Sequence, residues 1–160
     1  MFACLDRGGV RYVLIGGLAA VLQGSPLPTL DIDICPAPDD ANLVRLAATL
    51  KQIDARVRAA DIPEGIPFAC EASFLKNVQV LNLVTRFGDL DLSFRPSGTE
   101  GFDDLAQHAL EVSIGRLRVQ VAALEDIIRS KEAANRPKDH RTLPVLRQLL
   151  EEIRRRRDAH

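Results

Sequence analysis

The chain has no tryptophan, one tyrosine, three cysteines and three histidines in 160 residues. Cys4, Cys35 and Cys70 are odd in number and far apart, which excludes a disulfide scaffold and a zinc motif. Cys35 reads as a small buried residue rather than a nucleophile. His108, His140 and His160 lack the spacing of a metal cluster and read as surface or cap residues. No apolar run approaches the ~20 residues of a membrane-crossing helix. Asp6 and Arg7 interrupt the first residues, so no secretory leader is expected and a cytoplasmic location follows. Neither sign of charge dominates, because the net charge is -1. The distribution is nevertheless uneven. Residues 1–110 carry nine Lys/Arg against fourteen Asp/Glu, while residues 136–160 carry eight against four. An acidic body with a basic end suits a metal-and-phosphate site or a polyanionic partner.

An apolar fraction of 46% and a charged fraction of 27% fit a globular protein. The length predicts a single domain over 1–160, with a helical C-terminal part at about 122–158. The central stretch is Thr29-Leu30-Asp31-Ile32-Asp33-Ile34. A strand has period two, so Asp31 and Asp33 share one face and Ile32 and Ile34 the other. Paired carboxylates on a strand repel each other unless a cation lies between them. Oxygen-only donors suit magnesium, which is held by one or two carboxylates together with substrate phosphates. Taken alone, the same pattern also describes the wet face of an edge strand.

The neighbouring stretches favour the first reading. Residues 11–15 predict an apolar strand closed by Gly16-Gly17, followed by a helix over 18–22. Glycine lets a backbone approach a ligand closely, and free N–H groups at a helix start receive phosphate oxygens. Ser25 lies in the breaker Gly24-Ser25-Pro26-Leu27-Pro28 and is a turn residue by default. The strand carrying the two aspartates is expected over 30–35 and a helix over 42–52, capped by Asp39 or Asp40. Pro63, Gly65 and Pro67 predict a loop within 53–70. Residues 78–85 and 90–94 predict an antiparallel hairpin in which Asp89 and Asp91 face away from Leu90 and Leu92. Asp91, farther from the turn, is the better third ligand. A short helix over 101–107, a hairpin around Gly115 and a helix over 122–134 follow. The last helix is expected from Lys138, interrupted or reset at Pro144, and ends in Arg154 to Arg157, read as a solvated end.

This order of strand, Gly-Gly turn, helix, strand with two aspartates and later acidic strand resembles the nucleotidyltransferase (polymerase-beta-like) superfamily. It is similar in particular to the small bacterial AbiEii-like group, some of whose members act in toxin–antitoxin or phage-defence modules. The stretches Ile128-Arg129-Ser130-Lys131 and Asn135-Arg136-Pro137-Lys138-Asp139 resemble that group's second block. The chain carries Gly17 where many members have serine, and Leu27 where many have arginine. The resemblance implies an α+β (α/β) fold, with a mixed twisted sheet flanked by helices and C-terminal helices. It implies transfer of a nucleoside monophosphate from a nucleoside triphosphate to a hydroxyl of RNA, protein or a small molecule. Asp31, Asp33 and Asp91 would hold Mg2+ (or Mn2+). Gly16, Gly17, Ser25, Lys131, Arg136, Lys138 and Asp139 would surround the nucleotide, with Lys131 as the phosphate cation. The acceptor is expected to be held by a partner protein, a homodimer mate or the basic last helix. Two other readings stay open: a non-catalytic module of a paired system, and a metal phosphohydrolase.

Overall fold

The computed structural model describes residues 1–160. The helices are α1 (Phe2–Arg7), α2 (Gly16–Val21), α3 (Asp40–Gln52), α4 (Ala72–Leu75), α5 (Phe102–His108), α6 (Leu124–Ala134) and α7 (Pro137–Asp158). The strands are β1 (Tyr12–Ile15), β2 (Ile32–Pro36), β3 (Arg56–Ala59), β4 (Ile62–Ile66), β5 (Val80–Thr85), β6 (Gly88–Ser93), β7 (Leu110–Ile114) and β8 (Leu117–Val121). All eight strands form one sheet in the order β4-β3-β5-β6-β2-β1-β8-β7. The pairs β2–β6 and β1–β8 are parallel and the others antiparallel. The mixed sheet with flanking and C-terminal helices is the architecture expected.

Alternation sets the two faces of the sheet. On β5 and β6, Leu81, Leu83, Leu90 and Leu92 are buried, whereas Val80 and Asn82 are exposed and Asp89 and Asp91 half-buried. The buried leucines join Leu14, Ile34, Leu43, Leu46 and Leu50 in one hydrophobic core. Each fully buried Leu or Ile contributes about 1.5–3 kcal/mol, and together they fix which face turns inward. The start of α3 is pinned by a short polar network. Asp39 accepts the Asn42 N–H at 3.0 Å, and the buried Asn42 side chain binds Arg11 N, Arg11 O and Ala37 O at 2.7–2.9 Å. That network ties the entry of β1 to the exit of β2 and so aligns the two strands that frame the glycine turn.

Four expectations are corrected. Within 53–70, residues 56–66 form the β3–β4 hairpin, and the expected loop is confined to 67–70 after it. Pro63 is tolerated because β4 is the edge strand, where a missing N–H leaves no ladder bond unmade. Pro144 neither interrupts nor resets α7. Leu143 and Leu146 are buried on either side of it, and that packing offsets the one lost helix bond. The strand bearing the aspartates begins at Ile32, so Asp31 lies one residue before it. The first glycine, not residue 18, opens α2. No helix is long and apolar enough to cross a membrane.

Candidate active site

The site forms where β1, β2 and β6 run side by side. Gly16 follows β1 at φ +70°, the left-handed region that glycine adopts without strain. A side chain there would place its Cβ 2.5 Å from Asp33 Oδ2, so the carboxylate rests directly on the glycine backbone. A Cβ on Gly17 would meet Thr29 Oγ1 at 2.8 Å and Thr29 Cβ at 3.0 Å. The threonine side chain thus fills the space that a serine at 17 would need. The two glycines are therefore fitted to residues of the next strand segment.

Pairing then delivers the third carboxylate. Asp33 and Asp91 are direct partners in the parallel β2–β6 register, which puts both on the same face. Burial raises the Asp33 carboxyl to about 6, with the negative charges of Asp91 and Asp31 adding to the rise. Lys138 and Lys131 oppose it. Asp91 is also raised, first by burial, while Arg58 pulls it down and Asp31 and Asp89 push it up. Asp31, Asp33 and Asp91 therefore share one electrostatic field, with two lysines from the C-terminal helices acting on it.

Those lysines belong to a second cluster at the junction of α6 and α7. Asn135, at φ +51°, ends α6 and lets the chain turn into Pro137, the first residue of α7. Asp139 is wholly buried there. It accepts Arg136 N at 3.1 Å and Arg136 Nε at 2.8 Å, and lies 3.4 Å from Lys131 Nζ. Burial raises the Asp139 carboxyl, but the Arg136 hydrogen bonds and charge and the Lys131 charge outweigh it and leave it below the ordinary range. Asp139 thus both caps α7 and holds Lys131. Arg136 is committed to Asp139. The buried Ser25 accepts the Leu27 N–H at 3.3 Å and serves its own turn.

One residue was not anticipated. Arg58, on β3, reaches across β5 and donates from Nη2 to Asp91 Oδ1 at 2.8 Å and to Leu83 O at 3.1 Å. Its Nε lies 3.3 Å from Asp89 Oδ2. The alternation Ala55-Arg56-Val57-Arg58-Ala59 was the available signal, masked by the prolines and glycine that follow it.

The donor set fits a hard divalent cation: carboxylate oxygens on one face, mutually repelling, and one of them raised to about 6. No three acidic, histidine or cysteine side chains yet stand close enough together to enclose an ion. One oxygen of Asp91, Oδ1, accepts from the Arg58 guanidinium. Neither of the two principal hollows includes these carboxylates. One, of about 680 Å³, lies between the start of α6 and the end of α7 and is lined by His108, Asp126, Leu150 and Arg154 among others. The other, of about 240 Å³, lies beside Tyr12 and Phe102.

Comparison with solved structures finds the same fold in three proteins named for nucleotidyl transfer or antibiotic resistance. A lincosamide antibiotic adenylyltransferase, LnuA, solved with lincomycin bound, superposes with a TM-score of 0.60 at 16% identity over 92% of each chain. A candidate nucleotidyltransferase from Thermotoga maritima, TM1012, gives 0.55 at 18% identity, over 94% of this chain and 88% of its own. The antibiotic-resistance factor ANT(2'')-Ia gives 0.54 at 16% identity, over 99% and 89%. No protein-family model and no curated protein sequence matches the chain.

Proposed function

We propose that the protein is a metal-dependent nucleotidyltransferase that moves a nucleoside monophosphate from a nucleoside triphosphate to an acceptor hydroxyl. The observation that carries this reading is the same-face pairing of Asp33 with Asp91, beside Asp31 and over Gly16. In it, Asp31 and Asp33 hold the cation and Asp91 completes its ligand set. Mg2+ or Mn2+ bound there would neutralise phosphate charge and acidify the acceptor hydroxyl. Asp91 would also help a metal-bound acceptor hydroxyl lose its proton. Gly16 and Gly17 would offer their backbone N–H groups to phosphate oxygens at the start of α2, beside the Asp33 carboxylate and the Thr29 side chain that pack on them. Lys131, held by Asp139, and Lys138 supply positive charge on the side of Asp33.

The acceptor is a hydroxyl-bearing small molecule, RNA or protein. The antibiotic adenylyltransferase among the structural neighbours favours the first. A non-catalytic role as one half of a toxin–antitoxin or defence pair is the second reading, favoured by the Arg58 contact that occupies Asp91. The test is binding of Mg·ATP and Mg·GTP by calorimetry to the wild type and to the double variant Asp31→Ala, Asp33→Ala. Binding to the wild type and its loss in the variant supports the reading; equal binding by both removes it. Product analysis then separates transfer from hydrolysis, since a phosphohydrolase would release free phosphate or nucleotide and label no acceptor.

A further inference from the structure

We propose that Arg58 is a built-in counter-ion that competes with the divalent cation for Asp91, so that metal binding requires the guanidinium to give way. The inference rests on the metal-dependent reading above. Three observations carry it. The first is position: a side chain from β3 crosses a whole strand to place Nη2 2.8 Å from the carboxylate that a third ligand would use. The second is charge. Lys131 and Lys138 act on Asp33 through charge, whereas Arg58 is in direct contact with both Asp89 and Asp91 of β6. The third is incomplete fixation. Arg58 uses Nη2 for both of its hydrogen bonds, and its buried Nε–H has no hydrogen-bond partner despite Asp89 nearby. The guanidinium is thus fixed by two hydrogen bonds and an ion pair, well short of its five donors.

The proposal separates Arg58 from a residue that merely braces Asp91. A brace would improve metal binding; a competitor weakens it. Binding of Mn2+ is measured by electron paramagnetic resonance of the free ion for the wild type, Arg58→Met and Arg56→Met. Arg56 is on the same strand, exposed, and makes no hydrogen bond or ion pair with the carboxylates, so it controls for general loss of positive charge. Arg58→Met should bind Mn2+ about tenfold more tightly, the size expected for removing a charge in contact with a ligand oxygen in a partly solvated site. Arg56→Met should change the affinity by less than about twofold. Equal or weaker binding by Arg58→Met, or equal tightening by Arg56→Met, overturns the inference. Should circular dichroism show Arg58→Met unfolded, the wild type decides. Saturating Mg2+ should shift the Arg58 Nε–Hε nuclear magnetic resonance signal, and a signal that does not move overturns the proposal. If the wild type binds Mn2+, loses it on Asp33→Asn and gains nothing on Arg58→Met, the inference alone falls. If no variant binds Mn2+, the metal-dependent reading falls with it.

Discussion

Replacing Asp33 by asparagine should stabilise the metal-free protein at neutral pH. The carboxyl is raised from the ordinary 3.8 to about 6, because burial and the charges of Asp91 and Asp31 disfavour its ionised form. In the unfolded chain it ionises near its ordinary value. The native state therefore keeps a proton that the unfolded state releases. The stabilisation this gives is complete below about pH 4 and is lost as pH rises through about 6. The full linkage amounts to an upper bound of about 3 kcal/mol. Asp33 is only half-buried, so solvent screening reduces the figure to about 1–2 kcal/mol. Asparagine keeps the shape and does not titrate. Relative to the wild type, Asp33→Asn should gain nothing near pH 4 and about 5 °C in Tm at pH 7.5, measured by thermal unfolding in EDTA. Excess Mg2+ should raise the wild-type Tm at pH 7.5 and leave the variant unchanged, because the cation removes the repulsion by which the wild type is penalised. A lower Tm for the variant at pH 7.5, or a gain that does not depend on pH, would refute the reasoning.

Three further outcomes follow from the packing and the charges. Gly17→Ala pushes a Cβ against Thr29 Oγ1 at 2.8 Å, so it should cost about 1–3 kcal/mol in urea unfolding. Part of that cost should return in the double variant with Thr29→Ala, and strict additivity of the two would show that the contact is not the cause. Lys131→Met should weaken nucleotide binding about tenfold while leaving the fold intact, because Arg136 still pairs with the buried Asp139. Asp139→Ala, by contrast, should destabilise by about 3 kcal/mol or more, through the loss of the α7 cap and of the partner to Lys131 and Arg136. Calorimetric titration and urea unfolding of the two variants separate these cases.

The half-buried Asp33 beside the buried Ile34 was legible because strand parity is local, whereas Asp31 precedes the strand and lies outside that rule. The hairpin 80–93 was legible for the same reason, through the alternation of Leu81, Leu83, Leu90 and Leu92 with polar residues. What joins Asp33 to Asp91 is a parallel register between strands more than fifty residues apart, and no local pattern encodes it. The resemblance to a known superfamily supplied that link. Arg58 escaped because Pro63, Gly65 and Pro67 were read as loop signals. They are compatible with an edge strand, and only the sheet order reveals that β4 is one. The continuity of α7 through Pro144 escaped for a related reason: local propensity disfavours it, and the burial of Leu143 and Leu146 decides otherwise.

The most direct measurement uses two radiolabelled forms of each nucleoside triphosphate, labelled at the α or the γ phosphorus. Each is incubated with Mg2+, the protein and a panel of small hydroxylated molecules, total RNA and protein. Nucleotidyl transfer predicts that only the α label becomes attached to an acceptor, and that Asp31→Asn or Asp33→Asn abolishes the attachment. Attachment of the γ label, release of label without attachment, or full activity in either aspartate variant would contradict the assignment of this site.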